Sequence, residues 1–178
     1  MKKTAEDILS RIGDALRVPL PERIGVAVSG GSDSVALLHL LHQSLSPKGV
    51  ELSVVTVDHG LRAAAAEEAR QVTDLADGLG LSHDIIVWQQ GPTQGNLQDQ
   101  ARQARYDLMA DWARARGIEW LALGHTADDQ AETVLMRLMR ASGVDGLSAM
   151  SEVRDRNGVA LWRPLLSVRR QELRSYLD

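Results

Sequence analysis

Four short apolar runs, each followed by a stretch with helical spacing, leave this chain few ways to fold. "IGVAVS" (24–29), "ELSVVTVDH" (51–59), "HDIIVW" (83–88) and "IEWLALG" (118–124) have strand length and are bounded by turn formers. The segments after them, 33–45, 63–80, 96–116 and 127–141, read as helices. Val35, Leu38, Leu41 and Leu45 show the repeat in the first of them. A further helix is expected over 4–16 on Ile8, Ile12 and Leu16, an extended segment over 159–166, and a last helix from Ser167. Strands alternating with helices need crossover connections, and these are right-handed. The expectation is an α/β fold, a parallel-stranded open sheet with helices on both faces. At 178 residues the chain reads as one domain, 1–178.

Composition narrows the function classes. Phenylalanine is absent and aromatics make up 3%, so Leu, Val, Ile, Ala and Met must fill the core. Cysteine is absent too, which excludes disulfides, a cysteine nucleophile and thiolate or iron–sulfur ligation within this chain. No apolar run approaches the ~20 residues of a membrane span. The opening "MKKTAEDILSRIGDAL" breaks into charges too early for a signal peptide, so the expected location is cytoplasmic, with no membrane partner. A formal net charge of -4 argues against a domain whose main task is gripping nucleic acid electrostatically.

The seam between the first strand and its helix reads Ser29-Gly30-Gly31-Ser32-Asp33-Ser34. In open parallel sheets, ligands bind outside the carboxyl ends of the strands, where this string lies. Paired glycines admit positive φ and close approach of a ligand to the backbone. The helix start offers unpaired N–H groups, and three hydroxyls can donate to phosphate oxygens. The spacing fits neither G-x-x-x-x-G-K-[ST] nor G-x-G-x-x-G. A carboxylate in such a cradle repels bare phosphate, so Asp33 makes sense as the ligand of a hard cation such as Mg²⁺ that bridges it to a polyphosphate. The bland alternative is a Ser/Asp helix cap.

A second constellation follows the fourth strand. His125, Asp128, Asp129 and Glu132 are spaced to share one helix face. Thr126-Ala127-Asp128-Asp129 also resembles a capping box. Capping does not account for all four residues, and the carboxylates repel one another unless a cation, Mg²⁺ or an ammonium group, sits among them. Arg102, Arg105, Arg114 and Arg116 form a basic cluster on the long helix, which a solvated face alone would explain.

Ser-Gly-Gly-x-Asp-Ser after a strand resembles the loop of the N-type ATP pyrophosphatases, the PP-loop family. "VDHGLR" (57–62), "NLQDQARQARYDLM" (96–109), Gly-His-x-x-Asp-Asp-Gln-x-Glu-Thr from Gly124, "RLMRASG" (137–143) and "WRPLL" (162–166) are similar to the lysidine-forming branch of that family. The resemblance implies a Rossmann-like, adenine nucleotide alpha hydrolase-like fold and ATP-dependent ligation of free L-lysine to C2 of the wobble cytidine of an isoleucine tRNA with a CAU anticodon. An adenylated cytidine forms first, and pyrophosphate and AMP are released. It implies ATP at Ser29, Gly30, Gly31, Ser32, Asp33 and Ser34, with Asp58, His59, Gly124 and His125 lining the nucleotide pocket. Asp33 would bind Mg²⁺, Arg105 would contact phosphate or the adenylated base, and Asp129 and Glu132 would hold the lysine. The tRNA-thiolating branch handles sulfur through cysteines, which this chain lacks. A non-catalytic ATP-binding module would need the loop but not His125, Asp129 and Glu132. The carboxy-terminal domains with which such enzymes grip tRNA are expected to be absent from this chain. "VRRQELRSYLD" stops in mid-helix, so the native protein is expected to continue past Asp178.

Overall fold

A computed structural model describes residues 2–15, 21–58, 63–88, 97–139 and 149–178. His59, the rest of "HGLR", Leu16 and the other residues of 16–20, and residues 89–96 and 140–148 lie outside the described residues. In chain order the elements are α1 (Lys2–Ala15), β1 (Arg23–Ala27), α2 (Ser32–Leu45), β2 (Glu51–Asp58), α3 (Ala63–Gly78) and β3 (Ser82–Val87). Then come α4 (Leu97–Ala115), β4 (Trp120–Leu123), α5 (Ala127–Met139), β5 (Val153–Arg156), β6 (Val159–Trp162) and α6 (Arg170–Leu177).

The six strands form one sheet in the order β3-β2-β1-β4-β6-β5. β1 runs parallel to β2 and β4, with Val26 opposite Val54 on one side and Ala122 on the other. β3 is parallel to β2, and β6 to β4. The α/β reading therefore holds, with one addition: β5 is an antiparallel edge strand hairpinned to β6. Asn157 (φ 54°) and Gly158 (φ 81°) make its two-residue turn, the dipeptide suited to two successive positive φ angles. "VRDR" pairs there because an exposed edge tolerates charge. The last helix starts at Arg170 rather than Ser167.

Two cores hold the layers together. Ile8, Ile12, Leu37, Leu41, Val72 and Leu173 cluster on one side of the sheet, joining α1, α2, α3 and α6. Tyr106, Met109, Ala110 and Ala113 of α4 pack on Val55, Leu121 and Leu161. Strand order reverses at β1, since the chain steps from β1 to β2 and β3, then returns to β4 on the other side. The carboxyl ends of β1 and β4 thus flank the crevice where such sheets bind ligands.

Candidate active site

The turn from β1 into α2 is built by its glycines and by one serine. Gly30 has φ 87°, and a Cβ there would sit 3.1 Å from the Cβ of Glu68 on α3. Gly31 is the N-cap of α2, and among the described residues no side chain caps that helix end. Its first N–H groups therefore remain for a ligand. Ser34 is buried; its hydroxyl accepts from the Ser29 N–H at 3.1 Å and donates to the Gly31 carbonyl at 2.9 Å. It closes the loop on itself, whereas Ser29 and Ser32 are exposed. The Ser32 hydroxyl donates to Asp33 Oδ1 at 3.3 Å.

Gly124, at the end of β4, lets that strand approach the start of α2. A Cβ on it would lie 3.1 Å from Ser34 Cα and 3.2 Å from Ser34 N, and backbone atoms yield little. Gly124→Ala is expected to cost about 1–3 kcal/mol of stability through overpacking. A thermal melt checks this, and an unchanged melting temperature would show that the contact relaxes freely.

Beside the loop lies a cavity of about 350 Å³ at the carboxyl ends of the strands. Ser29, Asp33, Ser34, Asp58, Arg105, Gly124, His125 and Asp129 line it, with Val55, Val57, Met109 and Leu123 as apolar wall. The strands thus bring most of the sequence-predicted residues together. Gly30, Gly31 and Ser32 form the adjoining loop, and Glu132 lies one turn further along α5.

The acids of α5 are organised by a residue the sequence reading did not assign. Asp129 Oδ2 accepts from the Thr126 N–H and hydroxyl, both at 2.7 Å, so the capping-box reading is right for this pair. Asp129 Oδ1 accepts from Arg170 at 2.6 Å, and Glu132 Oε1 accepts from the same guanidinium at 2.8 Å. Arg170 Nε is 3.3 Å from Asp33 Oδ2. Asp128 accepts from the Arg170 backbone N–H at 2.9 Å. The cation among these carboxylates is thus supplied by the chain itself. Burial works against the Asp129 carboxylate, but the Thr126 hydrogen bonds and the Arg170 charge outweigh it and hold its pKa below the usual range. The bonds to Glu132 and Asp129 raise that of Arg170. Arg170→Gln is expected to cost about 1–2 kcal/mol at neutral pH, because the network is only partly buried. The deficit should shrink on acidification through the carboxylate range, as the acids left without a cation are protonated; a urea titration at several pH values that shows a constant deficit would contradict this.

His125 precedes α5 rather than lying on it, its N–H donating to the Leu123 carbonyl at 2.9 Å. Burial first, and then the charge of nearby Arg163, lowers its pKa to about 4. The unfolded imidazole binds a proton more readily, so stability present above about pH 6.5 falls as pH drops towards 4, by roughly 3 kcal/mol from this group. His39 and His83, also shifted down by burial, act in the same direction. His125→Gln is expected to flatten the decline between pH 6.5 and 4.5 in urea unfolding; an equally steep decline would place His125 outside this linkage.

The basic cluster of α4 divides. Arg114 pairs with Asp111 at 2.5 Å and Arg116 with Asp84, both on the surface. Arg102 and Arg105 each stand 5.6 Å from the centre of the Tyr106 ring, and Arg105 and Tyr106 face the cavity. Arg105 Nε and His125 Nδ1 are buried donors or acceptors without a partner among the described residues.

The structure suits a bound polyphosphate and Mg²⁺. The uncapped helix start and the glycine cradle fit phosphate, and Asp33 offers one carboxylate beside them. Mg²⁺ takes one or two carboxylates and completes its shell with phosphate oxygens and water. Among the described residues no group of three or more His, Cys, Asp or Glu is placed to hold a metal ion.

Residues 4–178 match the PP-loop domain family. The chain is 51% identical over 173 residues to the tRNA(Ile)-lysidine synthase of Ruegeria pomeroyi, covering 97% of this chain and 41% of that protein. It is 44% identical over 156 residues to that of Wolbachia pipientis, covering 86% of this chain and 36% of that protein. The chain therefore spans about two fifths of the length of the curated relatives it matches. Among solved structures, the U34-tRNA thiolase NcsA of Methanococcus maripaludis, with its 4Fe–4S cluster, superposes with a TM-score of 0.83 at 16% identity, over 98% of this chain and 63% of that one. The ammonia-dependent NAD synthetase of Campylobacter jejuni gives a TM-score of 0.62 at 17% identity, over 99% and 72%. These two likenesses concern the fold.

Proposed function

Because the chain belongs to the PP-loop domain family, we propose that it is the catalytic part of an enzyme that uses ATP to join free L-lysine to the wobble cytidine of an isoleucine tRNA with a CAU anticodon. The observation that carries this reading is the convergence on one cavity of the glycine loop, Asp33, Arg105, His125 and Asp129. The extent of likeness to lysidine synthases supports the substrate assignment. A cytoplasmic location goes with it. Among the described residues no helix is long and apolar enough to cross a membrane. Parts that grip the body of the tRNA belong, in this reading, to chain beyond the matched region of such relatives.

The loop N–H groups and the start of α2 hold the ATP phosphates and stabilise the charge that builds on the leaving pyrophosphate. Asp33 is the residue that would hold Mg²⁺, which would supply further charge neutralisation there. The cytidine C2 oxygen attacks the α-phosphorus and the bond to pyrophosphate breaks. Arg105 faces that anionic centre from α4. In the second half-reaction the lysine ε-amine adds to C2 and AMP leaves. Asp129 and Glu132 hold the cationic amine groups, and one carboxylate takes the proton that the attacking amine must lose. Arg170 now occupies those carboxylates, so lysine enters by sharing or displacing its guanidinium. His125, neutral at physiological pH, contacts the nucleotide as a hydrogen-bonding group.

The reaction class is tested by the fate of α-labelled ATP. Labelled AMP should be released only when lysine and a CAU-anticodon isoleucine tRNA transcript are both present. Release of ADP and phosphate would overturn the reading.

A further inference from the structure

A hydrogen-bond chain that starts on α3 ends on the backbone that enters the phosphate loop. Thr56 of β2 is 5% exposed and lines the cavity. Its hydroxyl donates to the carbonyl of Val28, the residue before Ser29, at 2.7 Å. That hydroxyl has one proton and has given it away. With that proton on Val28, the hydroxyl can only accept from His83 Nε2, 2.9 Å distant, an arrangement that requires a proton on Nε2. On the other edge of the ring, Nδ1 lies 3.0 Å from the Thr73 hydroxyl of α3, which is also 3.1 Å from the Ala69 carbonyl. A neutral ring accepts the Thr73 proton at Nδ1. A charged ring donates there, and Thr73 turns its proton to Ala69. The Nε2–H···Thr56 bond is the same in both states.

We propose that His83 is a positioning residue for the phosphate loop: its Nε2–H orients the Thr56 hydroxyl so that the hydroxyl proton holds the Val28 carbonyl. Without this donor, Thr56 keeps a buried lone pair without a partner and its proton is free to rotate away from Val28. The Val28 N–H donates to Val55 at 2.9 Å, so both polar groups of this residue are then tied to β2. The same chain joins α3 to the loop entrance, and one and a half turns before Thr73 the Glu68 of α3 closes against Gly30. β3 thus fixes, from outside the cavity, the backbone on which Gly30 and Gly31 are hung. The consequence for ATP affinity rests on the reading of the cavity as an ATP site; the proton position on His83 does not.

Two measurements test it. In long-range proton–nitrogen NMR spectra of the native protein, His83 should show the Nε2–H tautomer with a slowly exchanging proton, and Thr56→Val should speed that exchange. An Nδ1–H tautomer would overturn the proposal without any variant. In calorimetric titration with Mg·ATP, His83→Ala should weaken binding about 5- to 10-fold, the worth of one buried hydrogen bond. His83→Gln, whose amide can donate to Thr56, should recover most of it. Affinity equal to the native protein in both variants, with melting temperatures retained, would overturn the proposal. If the native protein binds no ATP, the cavity reading fails, and the tautomer alone decides the role of His83.

Discussion

Asp33→Asn is expected to lower ATP-dependent transfer of lysine into tRNA by roughly 100- to 1000-fold, the usual cost of removing one group aimed at charge that develops in the transition state. Asparagine keeps the size of aspartate and the Ser32 contact, but it neutralises the carboxylate nearest the uncapped start of α2. Stability should change little, since the ion pair of Asp33 with Arg170 is its longest, at 3.3 Å, and Arg170 retains Asp129 and Glu132. Transfer measured at saturating Mg²⁺, alongside a thermal melt, separates the two effects. A loss of less than about tenfold would move the cation away from Asp33.

Trp162→Ala carries the largest expected effect on stability. The side chain is fully buried at the end of β6 and meets Trp120 edge to face, with ring centres 6.0 Å apart at 76°. Truncating a buried tryptophan costs about 3–5 kcal/mol. For a domain of this size that is a fall of about 10–15 °C in melting temperature. The damage reaches the site, because the turn after Trp162 carries α6 and Arg170 into place. Calorimetric unfolding checks it. A fall of less than about 3 °C would mean that the neighbouring side chains collapse into the space.

The core of the fold was legible because its elements announce themselves locally. The runs at 24–29, 51–59, 83–88 and 118–124 became β1 to β4 within two residues or so at each end, as period and punctuation imply. The edge strand was not anticipated. "VRDR" has no apolar alternation, and only Asn157-Gly158, a strong hairpin signal, marked it. In the site, the loop was legible as a cradle but the division of labour among its hydroxyls was not. Ser34 turns inward because an i to i+5 closure of the loop satisfies buried backbone groups. Capping and binding readings of residues 126–132 proved compatible, since Asp129 caps with one oxygen and meets Arg170 with the other. Arg170 itself had no local sign. Its partners Asp33, Asp129 and Glu132 lie far back in the chain, and the packing of α6 on α2 brings them together. His83 was read only as part of a strand, because its role depends on two threonines from different elements.

The most direct measurement uses labelled lysine and an unmodified isoleucine tRNA transcript with a CAU anticodon, with residues 1–178 and any longer native form assayed side by side. Label should enter the RNA only when ATP is supplied, and a transcript with another anticodon should remain unlabelled. Transfer by a longer form alone would make residues 1–178 the catalytic portion that needs further chain to hold tRNA. ATP binding by both proteins with no lysine in the RNA from either would contradict lysidine formation and leave the cavity as that of an ATP-binding module.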